Sequence, residues 1–153
     1  MTTPIIILIL LTFPYLGVRL WNRVAARRAD PTFGAVVGLS LAFLFFGLGH
    51  FVQTQSMGAM LPEWVPYRIP LIYMTGVLEW TLAALLFSPW RTAVGWACIV
   101  VFVLFFPANV YAALNHVGMG GHGWGPVYLW VRAPLQLILI AWAYGFVARK
   151  GAR

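Results

Sequence analysis

Acidic side chains are almost missing from this chain. Asp30, Glu63 and Glu79 are the only three in 153 residues. Charged residues of both signs make up 8%, where a soluble domain carries about 25%. Polar side chains this scarce cannot cover a globular surface in water, which excludes an ordinary soluble domain. Cysteine is nearly absent too. Cys98 stands alone in the apolar run GWACIVVFVLFF. One thiol permits neither an internal disulfide nor a dithiol redox pair. Its apolar setting marks it as a packing residue, since a reactive thiolate needs accessible, electropositive surroundings. The only lysine is Lys150, in the tail. A phosphate loop, a dinucleotide fingerprint, an HExxH helix and a nucleophile elbow are all missing. Any catalysis would rest on Glu79, His50, Tyr73 or Arg132.

Long apolar runs are what the chain does have. A helix needs about 20 mostly apolar residues to cross a bilayer. Runs at 3–21, 33–53, 70–88, 92–114 and 127–147 meet or approach that length. Transmembrane barrel strands are about 10 residues and alternate in polarity, so a barrel is excluded. The expected fold is all-α, a multi-pass bundle of transmembrane helices in one membrane domain over 1–153. The first run lacks a basic region before it and a small-residue cleavage site after it, and so reads as a helix rather than a signal peptide. Pro14 should kink it.

The net charge of +7 is distributed as topology information rather than as a nucleic-acid footprint. Arg19, Arg23, Arg27, Arg28, Arg91, Arg149, Lys150 and Arg153 fall on one side of the five runs, leaving only Arg68 and Arg132 elsewhere. The positive-inside rule places the eight in the cytoplasm. The N-terminus is then outside, the C-terminus inside, and the longer connections at 54–69 and 115–126 face out. Seven of the eight tryptophans, Trp80 being the exception, lie in loops or near span ends, where an aromatic belt is expected. Small residues Gly34, Gly38 and Ala42, and a shorter pair Ala141 and Gly145, recur at spacing four and should let helices approach closely.

Glu79 sits mid-run in TGVLEW, nine residues past Pro70 and so about 13 Å along the helix. An ionisable group at that depth costs about 3 kcal/mol on insertion scales. It must face the bundle interior, find a partner or stay protonated. His50, Tyr73, Asn109, Arg132 and Gln136 all fall in the outer halves of their spans. They suggest one outer-half cavity with Glu79 at its floor and Trp80 at its wall. Two pairings stay open: Glu79 with Arg132, or Arg132 snorkelling outward while Glu79 bonds Gln136 or Asn109. Pro107 frees a backbone carbonyl near Asn109, either to line a cavity or simply to kink the helix. In the outer loop NHVGMGGHGWGP, His116, Met119 and His122 are a weak metal signal. Glycine-dependent turn geometry is the better reading, so neither metal nor haem is expected.

GLGHF (47–51), MLPEWVP (60–66), TGVLEW (75–80), FPANVYAALN (106–115) and RAPLQLILIAW (132–142) occur in order. Together they make residues 33–148 resemble the DoxX-like family of small bacterial membrane proteins. The resemblance implies a four-helix core, with 3–21 as an extra N-terminal helix. It implies a bacterial inner-membrane protein associated with redox complexes, with a quinone as the suspected ligand and no defined reaction. It carries the motif glutamate onto Glu79, the PAN asparagine onto Asn109, and the RxPxQ pair onto Arg132 and Gln136. Expected partners are membrane lipids, redox-complex subunits and further copies of the chain, but not nucleic acid. Two other functions stay open. One is a non-redox binder or isomerase of sterol-like lipophiles, in which a buried carboxylic acid moves protons. The other is a structural assembly partner, in which Glu79 fixes helix register.

Overall fold

The computed structural model describes residues 2–25 and 29–149, and all of its regular structure is helical. Arg27, Arg28, Lys150 and Arg153, four of the eight basic residues used for orientation, lie outside the described residues. Helix α1 covers Thr2–Val24 and α2 covers Pro31–Val52. The short α3 is Thr54–Gly58, followed by α4, Arg68–Leu85. Helix α5 is Arg91–Leu114. A tight helical turn, His122–Tyr128, leads into α6, Leu129–Ala143, which ends in a widened turn at Tyr144–Ala148. Four of these segments are long and apolar enough to cross a membrane: α1, α2, α5 and the run His122–Ala148, which bends at Gly125. The molecule is a multi-pass membrane protein. Helix α4 holds both Arg68 and Glu79, which lower its mean apolarity, and it is not among those four.

Helix α2 begins where Asp30 accepts a hydrogen bond from the Thr32 amide and Pro31 occupies the first helical position. Its end is fixed by Thr54, whose hydroxyl donates to the His50 carbonyl at 2.6 Å. This cap lies directly behind the residue that matters most on α2.

Glycines set how the helices meet. A methyl group at Gly38 would lie 2.1 Å from the Leu11 carbonyl oxygen, and one at Gly34 2.7 Å from that of Pro14. Helix α1 therefore rests backbone to backbone on α2, as the Gly34–Gly38 stripe predicts. The second predicted stripe is not used. Gly145 has open space beside it and Ala141 is exposed. The close approach at that end instead comes from Gly95 of α5 against Val147 and Ala148. At the opposite flank of α2, Gly47 meets the Trp80 indole and Gly76 meets the His50 Cβ. That second seam joins α2 to α4, and Ser40 reinforces it by donating to the Ala83 carbonyl at 3.0 Å.

Helices α5 and α6 form a separate pair. Between them and α2 lies a layer of rings rather than backbone contact. Phe43 stacks on Phe102 at 5.0 Å, Phe46 lies edge-on to Phe102, and His50 faces Phe105 at 6.2 Å. Trp142, expected in the interfacial belt, instead donates to the Ala35 carbonyl at 3.0 Å and ties α6 to α2. Trp21, Trp64, Trp90, Trp96, Trp124 and Trp130 do lie exposed. The polar residues sit on both walls of this aromatic seam.

Candidate functional site

The α2–α4 wall carries Glu79 and His50. Glu79 is 3% exposed, and its Oε2 lies 3.0 Å from His50 Nδ1. The glycine contact at Gly76 makes this possible, because α4 can then pass within touching distance of the His50 Cβ. Nδ1 has a second neighbour, the Phe46 carbonyl oxygen, also at 3.0 Å. A carbonyl only accepts, so the hydrogen sits on Nδ1 and points along α2 toward Phe46. Glu79 Oε2 is then buried at ion-pair distance with no hydrogen directed at it. This is one proton with two competing acceptors rather than a locked salt bridge. A small rotation of the imidazole moves the hydrogen bond from the carbonyl to the carboxyl group.

The α5–α6 wall carries Asn109, Arg132 and Gln136. Arg132 Nε donates to Asn109 Oδ1 at 2.8 Å. The Asn109 amide nitrogen donates in turn to the Phe105 carbonyl at 2.8 Å. Both ends of the asparagine are thus committed, and the arginine stem is oriented. Gln136 donates to the Phe102 carbonyl. Pro107 interrupts the backbone ladder of α5 between Phe105 and Asn109. Arg132 is within electrostatic range of Glu79 but makes no ion pair with it. Neither pairing left open by the sequence is adopted, because Asn109 holds Arg132 and His50 takes the place beside Glu79.

Tyr73 and Trp80 are placed elsewhere. They lie seven residues apart on one face of α4, 44% and 40% exposed, and turned away from Glu79. Each packs against Phe51, at 5.7 and 4.8 Å, and Trp80 donates to the Leu44 carbonyl at 3.1 Å. Two shallow clefts of about 380 and 400 Å³ flank this face and share Tyr73, and Glu79 lines neither. Trp80 therefore clamps the α2–α4 seam from outside instead of walling an inner cavity.

In the loop between α5 and α6, His116 is exposed, with its ring over Gly125, while His122 is buried. Gly125, at φ +71°, could not take a side chain there, since a Cβ would meet the His116 ring at 2.5 Å. Among the described residues there is no group of three or more His, Cys, Asp or Glu side chains placed to hold a metal ion. The sequence reading missed the carbonyls of Phe46, Phe102 and Phe105, which anchor His50, Gln136 and Asn109. Side-chain chemistry alone gave no signal for them.

Fold and site together define a helical membrane protein with a buried acid–base pair facing a held arginine across an aromatic seam. The chain belongs to the family described as a domain of unknown function, DUF8561, whose model matches residues 39–147. The matched region spans most of α2 through α6 and leaves α1 outside it. No curated protein and no solved structure matches the chain significantly.

Proposed function

We propose that the protein binds a lipophilic small molecule in the seam between α2–α4 and α5–α6 and exchanges a proton with it through the Glu79–His50 pair. The observation that carries this reading is the buried Oε2 of Glu79, 3.0 Å from a nitrogen whose hydrogen points elsewhere. Burying a carboxyl group at membrane depth costs free energy, and ionisable groups kept there serve proton or ligand chemistry. Arg132, oriented by Asn109, holds the polar head of the molecule, and Phe43, Phe46, Phe102 and Phe105 accept its apolar part. The DoxX-like motifs support a quinone as the ligand and a bacterial inner membrane as the location. In this reading α4 is a fifth, short span, α1 is an addition to a four-helix core, the N-terminus is outside and the C-terminus is cytoplasmic. The chain acts as a redox-associated subunit beside membrane partners.

A second reading has its own support. Glu79 is almost fully enclosed and lines neither described cleft, as a pair that only fixes helix register would be. One experiment separates the two. The protein is purified in mild detergent, its co-purified lipids are identified by native mass spectrometry, and melting is followed with added quinone. The binding reading expects a stoichiometric lipophile and a melting shift that Glu79→Gln abolishes. A clean apo protein whose melting no lipophile shifts, and which Glu79→Ala strongly destabilises, supports the structural reading and overturns the first. A bound sterol or terpenoid in place of a quinone would keep the pocket and remove the redox role.

A further inference from the structure

His122 stands where α6 begins, 3% exposed, and its Nε2 is buried without a hydrogen-bond partner. The other ring nitrogen, Nδ1, lies 2.6 Å from the Met119 carbonyl oxygen. That carbonyl can only accept, so Nδ1 carries the hydrogen and Nε2 of the neutral ring presents a lone pair. An unmet acceptor in a buried position is costly, so the site favours a group that donates to it. The ring is not free to turn away. Tyr128, itself buried, stands edge-on to it at 4.9 Å. The Tyr128 ring is seated against Gly121, where any Cβ would meet it at 2.5 Å.

Arg132 supplies the complementary need. Its Nε is committed to Asn109, while its two terminal amino groups make no hydrogen bond or ion pair among the described residues. The guanidinium lies within electrostatic range of His122, of Tyr128 and of Glu79. Tyr128, whose ring touches His122, lies four residues before Arg132, one helical turn away, so the two side chains share this end of α6.

One chemical group satisfies both residues at once. A hydroxyl donates its hydrogen to the His122 lone pair and accepts from the guanidinium. A carbonyl or ether oxygen serves the arginine alone. A carboxylate or phosphate leaves the His122 lone pair facing another acceptor. We infer that His122 and Arg132 form a hydroxyl subsite, so that the seam selects a lipophile with a phenolic or alcoholic head over its carbonyl or ether counterpart. For a quinone-type ligand, this means that the hydroquinone form is preferred. The inference rests on the lipophile-binding reading above and adds His122 to it.

The test uses the full chain in lipid nanodiscs. Binding is measured for a short-chain 1,4-hydroquinone kept reduced, and for the matching 1,4-quinone, which keeps the ring and both oxygens in nearly the same positions but has no hydroxyl hydrogen. Wild type should hold the hydroquinone at least about tenfold more tightly. His122→Phe, which fills the space but offers no acceptor, should narrow the gap to about threefold or less. His122→Gln, which restores an acceptor, should recover part of it. Equal wild-type affinities overturn the hydroxyl subsite and leave lipophile binding standing, a result that does not depend on any variant folding. A preference that persists undiminished in His122→Phe also overturns it, because the acceptor is then another group. If neither compound binds wild type, the lipophile reading fails and the subsite falls with it.

Discussion

Gly76→Ala is the substitution whose outcome the structure determines most closely. The added Cβ would lie 2.8 Å from the His50 Cβ and 3.0 Å from a Phe51 ring carbon. Carbon atoms rest at about 3.5–4.0 Å, so α2 and α4 must part by about 1 Å at this point. His50 Nδ1 and Glu79 Oε2 are 3.0 Å apart. Opening the seam stretches them to about 4 Å, beyond hydrogen-bond reach. Overpacking of this kind costs about 2 kcal/mol, in the middle of its usual range. Alanine returns about 1 kcal/mol of helix propensity over glycine. The net loss of about 1 kcal/mol lowers the melting temperature by about 2–4 °C in a chain of this size. Gly145→Ala is the matched control, because its Cβ meets nothing within 4 Å. It should melt at or above wild type. Tryptophan fluorescence during thermal unfolding in detergent reads both variants. If Gly76→Ala is as stable as Gly145→Ala, the helices are not in contact at Gly76. The explanation for the Glu79–His50 approach would then be wrong.

Three further outcomes follow from the same contacts. Asn109→Leu removes the acceptor of Arg132 Nε and should destabilise by about 1–3 kcal/mol. Adding Arg132→Met should recover part of that loss, and strict additivity of the two changes in a double-mutant cycle would deny the pair. Gly38→Leu should dislodge α1, since even a Cβ would lie 2.1 Å from the Leu11 carbonyl, whereas Gly17→Leu, with open space beside it, should be neutral. Comparable melting of the two variants would contradict the α1–α2 contact. Cys98 is fully buried, so folded wild type should resist maleimide and give a silent background. In intact cells a cysteine at Gly120 should then react with an impermeant maleimide, while one at Ser88 should react only after permeabilisation. The reverse pattern would invert the orientation drawn from the arginines.

Much of the architecture was legible because membrane helices declare themselves by length and apolarity. The runs at 33–53 and 92–114 end within two residues of α2 and α5. The run at 70–88 extends beyond its helix, since α4 stops at Leu85 and a turn leads into Ser88 and Pro89. Glu79 stood out because an ionisable residue in an apolar run is costly, and that cost marks a residue whatever it touches. Its partner was harder to read. Depth along the helices placed Arg132, Asn109 and Gln136 as plausibly as His50, but facing decides contact, and facing depends on where glycines let backbones meet. Gly47 and Gly76 turn His50 inward. The same geometry carries Tyr73 and Trp80 to the outer face, although they share a helix with Glu79. The stripe at Ala141 and Gly145 failed for a similar reason: spacing gives a face, and only the neighbouring helix decides whether that face is used.

The central claim is that the seam beside Glu79, and not the outer face of α4, receives a lipophile. An experimental map of the protein in lipid nanodiscs with added hydroquinone tests it directly. The account predicts ligand density between the two helix pairs, bounded by His50, Glu79, Asn109 and Arg132, with a head-group oxygen reaching toward His122. Density confined to the clefts beside Tyr73, with Phe43, Phe46, Phe102 and Phe105 closed over an empty seam, would contradict it.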